Sequence, residues 1–411
     1  MQEITLTNKY YKRTKWAILC GALLDESFIA FYGGLLLFIL RKDLMATVFQ
    51  ISLLTTLKPA VSVFSFYWSS KIKNRSQLRT NFLVAGLLAR IPFLCFFFFD
   101  NVWYLIFACA FYQLFTRASI PAWMEILKLN ISKKKREKIF SMGASIGFIE
   151  GILIALFVGS ALDSYASAWK VIFVASTILG IIGVLIQASI PIRGEKYVSL
   201  PTNSFVDWKQ PFKDSIKLIK ARNDFAHFQI GSMANGFGIM LMLPVLIYFF
   251  SDVITLSYME ITISRYMCMG LGFVLFAPFW AKALGKFDIN KLTSYIGLGF
   301  GAFGLFALLG VNSHIWVFFA YLLYGITQAG SKLIWNLSGS IFSHKQNSSL
   351  YSSVNVLSVG LRGLVAPFLG SILFQFFGPY VVIFLGSAVC FYGSWHMLVK
   401  APAALFPETA E

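Results

Sequence analysis

Nine ionisable side chains lie inside long apolar stretches of this sequence: Asp25, Glu26, Lys58, Arg90, Arg117, Glu150, Arg265, Lys332 and Arg362. A charge in an apolar medium is costly, so such groups pair with one another, face a polar cavity, or meet a charged ligand. Their chemistry divides by type. A guanidinium is a fixed donor fork that matches the paired oxygens of a carboxylate or phosphate. A carboxyl whose proton affinity is raised by burial can take up and release a proton. Arg265, Lys332 and Arg362 fall in the second half of the chain, which has no mid-stretch acid, whereas Asp25, Glu26 and Glu150 fall in the first. The expectation is a polarised cavity. In it Arg362, Arg265, Lys332 and Lys58 meet an anionic group, while Asp25, Glu26, Arg117 and Glu150 exchange protons or form charge pairs. Two pairings are expected, Glu150 with Arg265 and Asp25 or Glu26 with Arg117.

Neutral polar and aromatic residues at similar depth, Gln113, Gln328, Asn235 and Trp335, suit the orientation of a ligand in a largely apolar pocket. Tyr112, Asn336 and Asn355 lie at similar depth. No catalytic residue is assigned. The five cysteines and four histidines show no metal-ligand or disulfide spacing, so neither a metal nor a cofactor is expected. A lipid-modifying membrane enzyme is the rival from another class, but no nucleophile motif or histidine cluster supports it.

The elements that must hold these groups follow from composition. The 411 residues are 57% hydrophobic and 13% charged, against about a quarter charged in soluble domains. A bilayer core of about 30 Å takes roughly 20 apolar residues per helix. Apolar runs near 16–40, 46–69, 79–99, 102–127, 139–163, 169–191, 224–250, 257–281, 292–311, 314–340, 350–377 and 379–400 predict twelve transmembrane helices. The net charge of +17 does not indicate nucleic acid, because most Lys and Arg fall in every second loop. That bias directs both termini and the 192–223 loop to the cytoplasm. The expected location is the cytoplasmic (inner) membrane, as a monomer. Asp25 and Glu26 in mid-span argue for an uncleaved first helix.

The 192–223 segment divides the chain into an N-terminal six-helix bundle, 1–191, and a C-terminal one, 224–411. The segment reads first as a linker between the bundles, although Phe212, Ile216 and Ile219 recur at helical spacing beside Lys213, Lys217 and Lys220, which also suits a helix lying on the inner leaflet. An internal repeat supports the division. Trp68 and Trp280, Trp123 and Trp335, and Glu150 and Arg362 are each 212 residues apart, and each pair relates one helix to the sixth after it. Two homologous halves make a pseudo-symmetric pair of bundles.

With these features the chain resembles the major facilitator superfamily over nearly its whole length. FYWSSKIKNR (66–75) is similar to the family's signature between helices 2 and 3, keeping Lys71 and Arg75 but carrying Phe66 and Ser70 where the family has glycine and aspartate. PFWAKALGKF (278–287) is its second-half counterpart. Arg117 in LFTRASIP resembles the family's membrane-embedded arginine, and SAWKVIF (167–173) a frequent sequence at helix 6. The resemblance implies an all-α membrane protein of twelve helices in two six-helix bundles. It implies a secondary transporter working by alternating access, with helices 1, 4, 7 and 10 lining a central cavity. The arginines then point to a small organic anion as solute, with proton coupling by symport as a further expectation. A sugar, nucleoside or multidrug transporter of the same fold is the alternative. Ile152, where the family's drug antiporters carry proline, weighs against the multidrug reading.

Overall fold

The computed structural model describes residues 2–63, 78–165, 167–192, 210–284, 286–343 and 348–400, and these residues contain helices, turns and no strand. The helices run in chain order as α1 (2–42), α2 (Val48–Val63), α3 (Leu78–Leu94), α4 (Val102–Asn130), α5 (133–164) and α6 (Ala168–Ala188). After these come α7 (Gln210–Ala221), α8 (223–253), α9 (258–284), α10 (Ile289–Leu309), α11 (Ile315–Ser343) and α12 (Ser348–Val399). Eight helices among the described residues are long and apolar enough to cross a bilayer. At 1.5 Å rise per residue the 29-residue α4 and α11 exceed the hydrocarbon thickness. α12 is two spans in one, because Gly378 takes φ 75°, a region open to glycine, and the following Pro379 lacks the N–H that would rejoin the helix. The fold is of the expected all-helical membrane class, and its helices are consistent with the twelve expected spans. The helix expected around Phe212, Ile216 and Ile219 is present as α7, with Ile216 exposed. The 66–75 motif and Trp68 lie outside the described residues.

Helix starts are locally encoded. The Asn101 side chain accepts from the Trp103 N–H at 2.7 Å, and the Asp288 side chain from the Asn290 N–H at 2.7 Å, each satisfying a donor that the first turn leaves open. At α9 the pattern is reciprocal. Ser257 Oγ accepts from the Glu260 N–H at 3.1 Å, and Glu260 Oε2 from the Ser257 N–H at 2.8 Å, a capping box.

Among the described residues four π-helical turns occur, three within helices at Phe31–Leu35 in α1, Ile154–Val158 in α5 and Ile263–Cys268 in α9, and one, Phe249–Val253, at the end of α8. No periodicity in the sequence announces them, because one extra residue in a turn changes neither composition nor apolar content.

The chain forms two compact units. Unit 1 contains α1, α3 to α6 and the first turn of α9, Ser257–Thr262. Unit 2 contains α2, α7, α8, the rest of α9 from Ile263, and α10 to α12. Each unit thus includes one segment from the opposite half of the sequence.

Unit 1 is held by aromatic packing among α1, α3, α6 and the 3-10 turn after α3. Phe28 and Phe93 meet edge to face at 5.1 Å, and Phe96 packs on Phe173 at 5.3 Å, all fully buried. Unit 2 is held by close backbone approach. A Cβ on Gly238 of α8 would strike the Gly386 carbonyl of α12, and one on Gly386 would meet the Gly238 carbonyl, the small-residue contact that lets membrane helices touch. In α5, by contrast, a Cβ on Gly143 would make only an ordinary contact, 3.5 Å from the Ala22 Cβ. α2 docks on α12, where Ser52 Oγ donates to the Pro367 carbonyl at 2.9 Å and Gly363 leaves room for the Pro59 ring.

Candidate functional site

A small polar cavity of about 80 Å³ lies within unit 2, lined from α8, α10, α11 and α12. From α8 come Phe228, Gln229, Ser232 and Asn235, one helical face at spacings of three and four. α12 supplies Asn355, Ser358 and Arg362 in the same rhythm, α11 supplies Ser331, Trp335 and Ser338, and α10 supplies Thr293 and Phe300.

Arg362 is the only ionisable residue among the described residues of this lining. Its Nη1 donates to the Ser232 carbonyl at 2.7 Å, and its Nε is shut off from solvent without a hydrogen-bond partner. The guanidinium occupies the space where a Cβ on Gly236 would be. That glycine therefore makes room for a cation. Among the described residues no carboxylate lies within ion-pair distance of Arg362.

The neighbouring polar groups largely satisfy one another. Ser358 Oγ donates to Gln229 Oε1 at 3.0 Å, Gln229 Nε2 to Asn355 Oδ1 at 2.6 Å, and Asn355 Nδ2 to Ser338 Oγ at 2.8 Å. This chain of hydrogen bonds fixes the wall beside Arg362 and leaves the guanidinium as its charged feature. Trp335, 40% exposed, adds an aromatic surface. Gln229, Ser232, Ser338 and Ser358 were not singled out in the sequence, although their helical spacing relative to Asn235, Asn355 and Arg362 carried the signal.

The other expected residues distribute as follows. Asn235 borders the cavity, but its Nδ2 donates to the Thr293 carbonyl at 3.2 Å, and its amide fills the space left by Gly297 and Gly393, so it ties α8 to α10 and α12. Arg265 sits in the π-turn of α9, 5.9 Å from the Tyr321 ring. Nearby, Gln328 Nε2 donates to the Tyr324 hydroxyl at 2.6 Å. Lys332 is exposed, 5.6 Å from the Phe273 ring, and Lys58 is exposed on α2. Neither borders the cavity.

In unit 1, Gln113 Nε2 donates to the Tyr32 hydroxyl at 2.8 Å, and Arg117 is half-buried on α4. Asp25 is paired with Arg90 rather than with the expected Arg117. Arg90 also donates to the Gly86 carbonyl at 3.0 Å, and Gly180 of α6 leaves the space that this pair fills. The reason is proximity that the sequence does not display, since α1, α3 and α6 converge on one aromatic core. Glu150 is half-buried on α5 in unit 1, and its expected partner Arg265 belongs to unit 2. The Glu26 side chain lies outside the described set. No group of three or more metal-ligating side chains occurs among the described residues.

Comparison with known families matches the model described as Major Facilitator Superfamily over residues 18–361. The chain belongs to the major facilitator superfamily. None of the curated proteins matches its sequence. Solved structures match its fold at low identity. The xylose transporter XylE from E. coli in an inward-open conformation has TM-score 0.63 and 14% identity, covering 96% of this chain and 97% of that one. A nucleoside transporter, NupG, has TM-score 0.68 and 11% identity over 95% and 98%. A peptide transporter, POT, in complex with alafosfalin has TM-score 0.66 and 12% identity over 97% and 94%. This major facilitator superfamily chain is therefore a multi-pass membrane transporter.

Proposed function

We propose that this transporter carries a small organic anion, bearing a carboxylate or phosphate, by alternating access with proton symport. The observation that supports the reading is Arg362, whose guanidinium borders a polar cavity, gives one nitrogen to a helix carbonyl and has no acidic partner among the described residues. A buried cation without a counter-ion is costly, and a transient anionic solute would offset that cost with bidentate hydrogen bonds. On this reading the repeat halves 1–191 and 224–411, joined by a cytoplasmic 192–223 linker, lie in the inner membrane with both termini inside, and a single copy suffices. The Glu150 and Arg265 pair belongs to the same proposal.

The amides of Gln229 and Asn355 beside Trp335 favour a second reading, a neutral sugar or nucleoside. This is the class named for the xylose and nucleoside transporters of the same fold. Uptake into proteoliposomes of radiolabelled carboxylates and phosphate esters, beside a sugar and a nucleoside, each with and without an imposed proton gradient, separates the two. Transport of a neutral solute with failure of every anion would falsify the first.

A further inference from the structure

Two histidines of unit 2 play no part in the proposed function. His227 lies near the start of α8 and His396 in the last turn of α12, 169 residues apart in sequence. Their rings stack with centroids 5.2 Å apart, and His227 Nδ1 faces His396 Nε2 at 3.1 Å. His396 is 5% exposed, and its other nitrogen, Nδ1, is closed off from solvent without a hydrogen-bond partner. A solvated imidazole would satisfy both nitrogens, so this is not an ordinary surface contact.

The backbone brings the two rings together. A Cβ on Gly231, one turn after His227, would strike the Met397 side chain, and one on Gly393, one turn before His396, would meet the Gly231 carbonyl. With Gly238 against Gly386 this makes a seam in which α8 and the second span of α12 touch at main-chain distance. His227, Gly231 and Gly238 share one face of α8, and Gly386, Gly393 and His396 one face of α12, at spacings of three, four and seven. The histidines close the end of that seam.

The chemistry of two facing imidazoles is a count of protons. A neutral ring has one N–H and one lone pair. One proton between the facing nitrogens makes a hydrogen bond when both rings are neutral, and a charge-assisted one when a single ring is charged. Charging both rings sets N–H against N–H and two cations side by side, and the bond is lost. Besides His227, the charge that acts on His396 is Lys400 in the same helix, of the same sign as a protonated ring, and the Tyr392 ring lies 6.3 Å away. At the start of α8, Asp224 is held by Arg222. α7 packs on both helices and carries Lys213, Asp214, Lys217 and Lys220. α10 meets this part of α12 through Ser294 and Ser394, with Lys291 exposed one turn earlier.

We propose that His227 and His396 form a proton-binding site that fastens the start of α8 to the end of α12, and that charging both rings releases them. The release reaches the cavity within the same unit. Phe228 and Gln229, the next two residues of α8, line it, and Gln229 holds Asn355 and Ser358 of the first span of α12. The site stands whatever the solute is, and it uses none of Asp25, Glu26 and Glu150.

The test needs no solute. In nanodiscs, spin labels at the exposed Asn223 and Val399 should give one short distance near about pH 8. As pH falls toward about 5, a longer component should appear, its ratio to the short one growing about tenfold per pH unit on the steep part. His227→Gln and His396→Gln each leave one titratable ring, so each should remove that rise and keep the short distance throughout. Nitrogen NMR of the histidines should show two separated charging steps for the unsubstituted pair, with the longer component following the second, and one step in each variant. A merely structural pairing would lengthen the distance in the variants at every pH and leave the unsubstituted protein flat. That result, or a rise that persists in either variant, overturns the proposal. Should one variant fail to accumulate, the other and the titration of the unsubstituted protein carry the same test.

Discussion

Arg90 in unit 1 and Arg362 in unit 2 are close counterparts. Each gives one nitrogen of its fork to a helix carbonyl, Gly86 at 3.0 Å and Ser232 at 2.7 Å. Each has an Nε closed off from solvent without a partner, and each guanidinium fills space vacated by a glycine of a neighbouring helix, Gly180 or Gly236. They differ in a single respect. Arg90 is paired with Asp25, and Arg362 has no such partner among the described residues. The same side chain in the same kind of niche is a fastening where a described acid answers its charge and, on the proposed function, a receptor where none does.

The comparison is broken most severely from the Arg90 side. Asp25→Asn strands a buried guanidinium and should destabilise the protein by about 3–5 kcal/mol, read as a large drop in melting temperature and in accumulation. The double change of Asp25→Asn with Arg90→Gln should recover much of that loss, because the stranded charge is gone. Additive damage would mean that the two residues act separately.

Arg362 should behave in the opposite way. Arg362→Gln removes a charge that no acid among the described residues answers, so thermal stability should hold or rise while uptake of any anion that the unsubstituted protein carries is lost. Arg362→Lys keeps charge without the planar fork and should weaken uptake with less effect on folding. Unchanged uptake by a folded Arg362→Gln protein would remove Arg362 from the solute path.

The glycines sharpen the contrast at smaller amplitude. Gly236→Ala and Gly180→Ala each drive a Cβ into a guanidinium, an overpacking that costs about 1–3 kcal/mol. The first should lower anion affinity more than stability, and the second stability alone. Equal effects of both on affinity would count against treating the two niches as different.

The smallest effect concerns Asp43. Partial burial raises its proton affinity above that of an ordinary aspartate, while the Tyr258 hydroxyl and Lys42 act against the rise. Asp163 and Glu260 are the other acids around Lys42. The folded state therefore binds this proton more tightly than an unfolded, hydrated chain. The contribution of Asp43 to folding stability should be present at low pH and be lost as pH rises through the elevated value. Thermal melts across that range should show this slope, and Asp43→Asn should flatten it.

Much of this was legible in the sequence, and the remainder has identifiable causes. Hydropathy placed the spans because the bilayer imposes a length on them, and the Gly378-Pro379 break was visible as composition. Arg362 stood out as a charge in an apolar run, and its lack of an acid partner among the described residues accords with the absence of mid-span acids in the second half. Partner choice was not legible. Asp25 lies 65 residues from Arg90, and spacing along one helix says nothing about which face of another it meets. The second contact of Asn235 was not legible for the same cause: it lines the cavity as expected, and only the positions of Gly297 and Gly393 show its amide also filling a helix junction.

The π-turns have a mechanical meaning that glycine content conceals. An α-helix advances about 100° per residue, so one surplus residue in a turn swings everything beyond it around the axis and leaves a local crease in the hydrogen-bond ladder. Ile154–Val158 is such a crease without a glycine or proline in it, only a few residues beyond Gly143, Gly147 and Gly151. Pliability in α5 is therefore set by residue count. Deleting one residue from that turn would restore an unbroken rod and rotate Asp163 away from the Tyr258 and Met259 amides that donate to it, whereas changing the upstream glycines to alanine would leave the crease in place.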